Sequence, residues 1–319
     1  MKKSLLLLPI LFFALFPPFA RAEGRTGIAR VGVFDAHCRQ DHHDSLKSHF
    51  HAIGYIEGAN LELVNNCDKK KPMERPERAA DMVRLKPDVI VARSGSGIRA
   101  VKRATRTIPI VMVSSGDPVA SGFVASFARP GGNLTGVSRV ATDHVVRSLR
   151  VLKEAIPEIS HVALLKWHTS RYPEEIRMLA KTLGIEFDVF NIENFDDLDE
   201  IFRSMENQQV DGVVVRSNSM MRLGHGRIEP LAMKHRLPAI YPDATWVRRG
   251  GLMSYGMEFY KLYKWAVIQV VKIIKGARPG DIPIERITQG RLVINLKTAK
   301  KLGIEMSPET LMFADQVIE

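Results

Sequence analysis

"PIVMVSSGDPVASGFVASFARPGGNLTGVSR", residues 109–139, holds the break in rhythm on which the reading of the fold turns. It opens on a β-branched apolar run, "PIVMV", which reads as a buried strand. "SSG" then turns the chain. Asp117 suits the N-cap of a helix and Pro118 its first position, so "VASGFVASF" (119–127) is expected to be a short helix. "ARPGG" ends it, and an extended "NLTGVSR" follows. The stretch reads as a helix N-terminus at a strand end with a hinge behind it. A plain capped helix followed by a turn fits the same residues.

Outward from this stretch, one unit recurs. Short apolar runs lie at 28–34, 60–66, 88–92, 109–113, 161–166, 184–190, 211–216 and 238–242. Amphipathic stretches of helix length separate them, near 40–53, 74–85, 96–105, 143–155, 173–183, 196–206 and 225–236. Strand, helix, strand at this spacing implies right-handed crossovers and a parallel sheet. Nearly continuous apolar strands fit a sheet covered on both faces. Breaks at 130–142, at "RRGGLMSYG" (248–256) and at "KGARPGDIPIE" (275–285) read as three crossings between two α/β lobes. The expected division puts 23–138 and 257–284 in lobe 1, and 139–256 and 285–319 in lobe 2.

Residues 1–22 stand apart. Lys2 and Lys3 precede an apolar stretch from Leu5 to Phe19, and Ala20-Arg21-Ala22 has the small-x-small form of a cleavage site. Pro9, Pro17 and Pro18 and the short apolar length argue against a spanning helix. The chain is therefore expected to be exported, cut after Ala22. The full sequence carries a formal net charge of +11, part of it from Lys2, Lys3 and Arg21 in this leader. A positive field concentrates anions. The basic residues are spread out, with "KKK" (69–71) the only run, and lack the aromatic interleaving of a nucleic-acid groove. No nucleic-acid partner is expected.

In parallel α/β sheets the loops past the strands' carboxyl ends form the binding crevice. Those loops supply the candidate ligand-binding residues: Asp35, Arg93, Ser94, Gly95, Ser96, Ser115, Asp117, Arg139, Trp167, Arg216, Asn218, Tyr241 and Asp243. "RSGSG" (93–97) opens a helix, so Ser94, Gly95 and Ser96 can offer amides and hydroxyls to an anion. Arg93, Arg139, Lys166 and Arg216 sit at strand ends and suit a ligand with more than one negative group. Pairing with Asp35, Asp117, Asp143 and Asp243 is the competing account. Trp167 and Tyr241 can stack on a planar ligand or pack the core.

Catalytic signatures are missing. "ARSGSGI" lacks the leading glycine of a nucleophile elbow, and no phosphate loop, dinucleotide fingerprint, Cys-x-x-Cys or His-Glu-x-x-His occurs. Neither an enzyme nor a cofactor is expected. Histidines crowd 37–51, where His42 and His49 share a helix face at a spacing of seven and no pair stands at four. A solvated polar face accounts for them better than a metal. Cys38 and Cys67 follow the first two strands, neighbours in a 2-1-3-4-5 sheet. Their loops can bring the two Cα atoms within disulfide range in an oxidising compartment.

"RATRTIPIVMVSSGDPVASGFVASFARPGGNLTGVSR", "HRLPAIYP", "GGLMSYG" and "LVINLKTAKKLGI" resemble, in order, the tryptophan/tyrosine-type family of ABC transporter substrate-binding proteins. The resemblance implies a type I periplasmic-binding-protein fold, a small solute held between two hinged lobes, and delivery to an inner-membrane permease from the periplasm. A monomer is expected. In that family the loop after the third strand usually resembles Ser/Thr-Gly/Asn-Thr-Pro-Ala and binds ligand; here it is Arg93-Ser94-Gly95-Ser96-Gly97. Gly116-Asp117-Pro118 is intact, whereas Lys166-Trp167 replaces the common Asn-Pro and Arg216-Ser217-Asn218 the usual small polar residue or Asp. On these grounds Ser94 and Ser96 are expected to hold an acidic group of an amino acid or related solute. Asp117 and Asp243 would receive its donors, and Arg139 and Arg216 would clamp from lobe 2. A sensor feeding a membrane receptor kinase, or an enzyme on the same fold, stands as the alternative.

Overall fold

In a computed structural model of the chain, the residues described are 27–35, 38, 40–67, 75–114, 116–139, 141–169, 174–218, 220–288 and 290–319. The leader, His37 and Ser115 lie outside them. The fold is α/β, with two sheets of mostly parallel strands. The first half runs β1 (Ala29–Asp35), α1 (Gln40–His51), β2 (Leu61–Asn65), α2 (Arg75–Arg84), β3 (Val89–Arg93), α3 (Gly95–Ala104), β4 (Ile110–Ser114), β5 (Leu134–Ser138). The second runs α4 (Ala141–Ala155), β6 (His161–Trp167), α5 (Glu175–Thr182), β7 (Glu186–Ile192), α6 (Leu198–Asn207), β8 (Gly212–Val215), α7 (Ile228–Lys234), β9 (Ala239–Tyr241), α8 (Ala244–Val247), β10 (Met253–Gly256). The chain then returns through α9 (Tyr263–Ile274) and β11 (Glu285–Arg286), and ends in β12 (Arg291–Asn295), α10 (Leu296–Leu302), α11 (Pro308–Phe313) and β13 (Gln316–Ile318).

The two sheets repeat one plan. The first is ordered β2-β1-β3-β4-β5, with β11 added beside β5. The second is ordered β7-β6-β8-β9-β10, and β12 joins antiparallel to β10 before β13 closes the edge. Both are covered on both faces, as the apolar runs require. Along β3, Val89 and Val91 enter one core and Ile90 and Ala92 the other. Along β6, Val162 and Leu164 divide likewise from Ala163 and Leu165. Each fully buried Val, Leu or Ile of these rows stabilises the fold by about 1.5–3 kcal/mol.

Three local expectations need correction. Residues 119–127 form turns, not a helix. Asp117 does cap a single turn, its Oδ1 accepting from the N–H groups of Val119 (2.8 Å) and Ala120 (3.0 Å). Gly122, at φ 68°, then breaks the helical path, and Phe123 and Val124 drop into the core. The third crossing lies beyond residue 287, not at 284/285: β11 pairs with β5, and the Ile287 N–H donates to Ser138 O at 2.8 Å. The α1 histidines are not uniformly solvated, since His42 is buried against Phe259 and Tyr263.

Candidate functional site

The carboxyl ends of β1, β2 and β3 form the rim of lobe 1. Asp35 and Arg93 are register partners across β1 and β3, and both are buried. Arg93 Nη1 lies 3.7 Å from Asp35 Oδ2, and His42 Nε2 lies 3.9 Å from the same oxygen. The Arg93 guanidinium also stacks 4.4 Å from the Phe259 ring centre, a cation–π contact. Arg78 Nη2 donates to the Asp35 carbonyl at 2.8 Å and approaches Cys67 Sγ at 2.9 Å. Burial lowers the Arg78 pKa, and nearby Asp35 opposes that shift. Cys38 and Cys67 are joined in a disulfide, with Cα atoms 5.4 Å apart. A cavity of about 250 Å³ opens beside this bridge, against Asp35, Gln40 and Asn65. The cations and acids of this rim are thus spent on one another.

Beside them, Ser94 caps α3. Its Oγ accepts from the Gly97 N–H at 3.2 Å and lies 3.3 Å from Ser96 Oγ. Ser94 holds φ 64°, ψ 151°, a conformation that costs a residue with a Cβ about 1–3 kcal/mol. Gly95 and Ser96 are exposed. Asp117, placed next along the rim by β4, is committed to its own turn.

Lobe 2 presents a different balance. Lys166 in β6 and Arg216 just past β8 are 5% and 8% exposed. The Arg216 N–H donates to Leu165 O at 2.9 Å, which fixes the two residues side by side. The Arg216 guanidinium has no hydrogen-bond or ion-pair partner among the described residues, and its Nε is buried. Desolvation draws its pKa down to about 10. Among the described residues Lys166 Nζ reaches only the His168 carbonyl, at 3.4 Å; desolvation first, then Arg216, lowers its pKa. His144 on α4 is buried beside them. Desolvation, then Arg139, holds its imidazole down to about 3, with a smaller push from Arg216.

Arg139, the expected ligand clamp, is engaged by the protein's own groups. Nη1 donates to Pro242 O (3.3 Å) and Met257 O (2.5 Å), and Nη2 to Ser217 Oγ. Its pKa falls to about 10 by desolvation, against the pull of Asp243. Arg139 thus ties the first crossing to the second, where Gly256 has φ 153° and a Cβ would stand 2.2 Å from Pro242 O. Asp243 caps α8 through the Thr245 N–H (3.0 Å) and pairs with Arg222 at 3.4 Å. Asn218 Oδ1 accepts from the Met221 N–H at 2.7 Å. Tyr241 is a core residue, stacked on Trp246 at 5.2 Å, and burial raises its pKa. Trp167 remains half-buried at the rim, 5.2 Å from Phe195.

Sequence reasoning missed Arg78, His144, Ser217, Arg222 and Phe259. Ser217 stands inside the quoted Arg216-Ser217-Asn218 stretch, while the other four stand in no motif and are brought in by packing between distant elements. The grouping with metal-ligand spacing among the described residues is not in α1: it is His161, Glu186 and Asp188, at the amino ends of β6 and β7. No helix among the described residues is long and apolar enough to cross a membrane.

Comparison with known proteins bears on the family and the fold. The model of the family described as ABC transporter substrate binding protein matches residues 31–318. A tyrosine-binding protein of Clostridioides difficile (strain R20291) is 25% identical over 258 residues, 79% of this chain and 73% of the relative. Among solved structures, an ABC domain in complex with L-Trp from Streptococcus pneumonia superposes with TM-score 0.79 at 23% identity, covering 92% of this chain and all of that one. A solute-binding protein from Agrobacterium vitis, bound with α-D-tagatopyranose, superposes with TM-score 0.61 at 15% identity, covering 90% of this chain and 99% of that one. The shared architecture is the type I periplasmic binding fold.

Proposed function

The chain belongs to the ABC transporter substrate-binding protein family, whose members bind solutes and are not enzymes, and from that premise we propose that it captures a small carboxylate-bearing solute in the cleft between its lobes and delivers it to an inner-membrane permease. The observation that carries the reading is the doubled strand plan. Two sheets of one order, joined by three crossings, offer two sets of strand-end loops to one crevice. Arg139 and Gly256 sit at those crossings, where hinge closure would be absorbed. On lobe 1, Ser94, Gly95 and Ser96 would hold the solute's carboxylate with their hydroxyls and the α3 amides. Trp167 would cover it from lobe 2. Asp35, Arg93, Asp117 and Asn218 would shape the walls through the bonds they already make. The leader would send the chain to the periplasm, where the Cys38–Cys67 bridge persists and the protein works as a monomer.

Native mass spectrometry of the protein recovered from the periplasm tests this reading. The expected result is a monomer whose chain begins at Glu23, carrying a small solute that is lost on denaturation. An unoccupied protein that binds no amino acid or organic acid would overturn it.

A further inference from the structure

We propose that the solute carries an acidic group at each end, and that Lys166 and Arg216 receive the one nearer lobe 2; this rests on the cleft reading above. Strand alternation puts the two cations on one face. Val162 and Leu164 in β6, and Val214 in β8, enter the same core, and Lys166 and Arg216 continue those rows by two residues. Two buried cations side by side are costly without an anion. Among the described residues the protein supplies the Arg216 guanidinium with no hydrogen-bond acceptor and neither cation with a carboxylate.

The acids of the cleft explain what is excluded. An α-amino acid needs an acceptor for its ammonium group. Asp117 is held by its own turn, Asp243 by Arg222 and the α8 cap, and Asp35 by Arg93 and His42. Glu258 at the second crossing is engaged by Arg248 and Lys261. An ammonium group entering lobe 2 would instead meet Lys166 and Arg216. A second carboxylate, or a phosphonate or sulfonate in its place, would convert two uncompensated charges into charge-assisted hydrogen bonds. With Ser94 and Ser96 taking the first acid on lobe 1, the two ends of the solute are both accounted for.

Calorimetric titration of the mature protein with succinate, glutarate and adipate tests the inference, with butyrate as the monoacid reference and L-tyrosine and L-tryptophan as amino acids. The best diacid should bind at least about 100-fold more tightly than butyrate, as two charge-assisted bonds allow. Arg216→Gln and Lys166→Gln should each shrink that ratio at least about tenfold, with thermal melts confirming that the variants fold; Lys166→Gln alone decides if Arg216→Gln does not. An aromatic amino acid bound more tightly than every diacid would overturn the inference and leave the cleft reading standing. A diacid preference that survives both substitutions would overturn the assignment to these residues. Binding of no titrant by a cooperatively melting, unoccupied protein would overturn both.

Discussion

The two rims of the cleft share a strand order and differ in how their charges are satisfied. On lobe 1 the buried Arg93 faces Asp35, and Arg78 is tied to the Asp35 carbonyl. On lobe 2 the buried Arg216 faces no acid among the described residues, and Lys166 finds one distant carbonyl. The first arrangement stabilises the protein by itself. The second leaves two buried cations without a carboxylate among the described residues. A cation at a strand end is therefore not a ligand contact by position; its partners decide.

One substitution made on both rims should give opposite results. Arg93→Met strands Asp35 in the core and should cost about 3–5 kcal/mol in urea unfolding. Arg216→Met removes an uncompensated charge and should leave stability unchanged or raise it by about 1–4 kcal/mol, while solute binding weakens at least about tenfold. Equal destabilisation by the two would erase the distinction between the rims.

The disulfide sharpens the same contrast, because it lies wholly in the self-satisfied rim. Its half-cystines are 29 residues apart. Cys38→Ser with Cys67→Ser should lower stability by about 2–4 kcal/mol, read by denaturant melts. Solute affinity should change far less than in Arg216→Met.

His144 makes the cationic rim sensitive to acid. Its folded pKa of about 3 lies below the ordinary 6.5, so the folded chain binds fewer protons between those values. The stability of the neutral imidazole is intact above about pH 6.5 and lost as pH falls toward 3. At pH 5 this amounts to about 2 kcal/mol. His144→Gln should flatten that part of the stability–pH curve, and an unchanged slope would remove His144 from the buried cluster.

The smallest effect concerns Ser94. Glycine accepts φ 64° without strain and caps a helix almost as well. Ser94→Gly should therefore stabilise lobe 1 by about 1 kcal/mol while weakening solute binding through the lost hydroxyl. A simple loss of stability would mean that the residue serves the cap alone.

Strands and helices were legible because buried parallel strands are written as unbroken apolar runs, and "DVIVA" and "DGVVVR" cannot be mistaken for surface. The rims were legible for the same reason: a strand's end marks the crevice. The state of each rim residue was not. Nothing in "YPDAT" announces that Tyr241 stacks on Trp246 or that Asp243 caps α8 and pairs with Arg222. Nothing near Arg139 announces its partners Pro242 and Met257, which lie more than a hundred residues away. Asp117 and Pro118 suit a helix start, but the positive φ at Gly122 ends the turn, so 119–127 does not continue as a helix.

The central claim is that two lobes close over a solute at the mouths of their sheets. Small-angle X-ray scattering of the mature protein, with and without a saturating solute identified by titration, tests it most directly. A smaller radius of gyration with solute, reached in Arg216→Met only at a solute concentration at least about tenfold higher, is the predicted result. An identical scattering curve from the free protein and the calorimetrically saturated complex would contradict it.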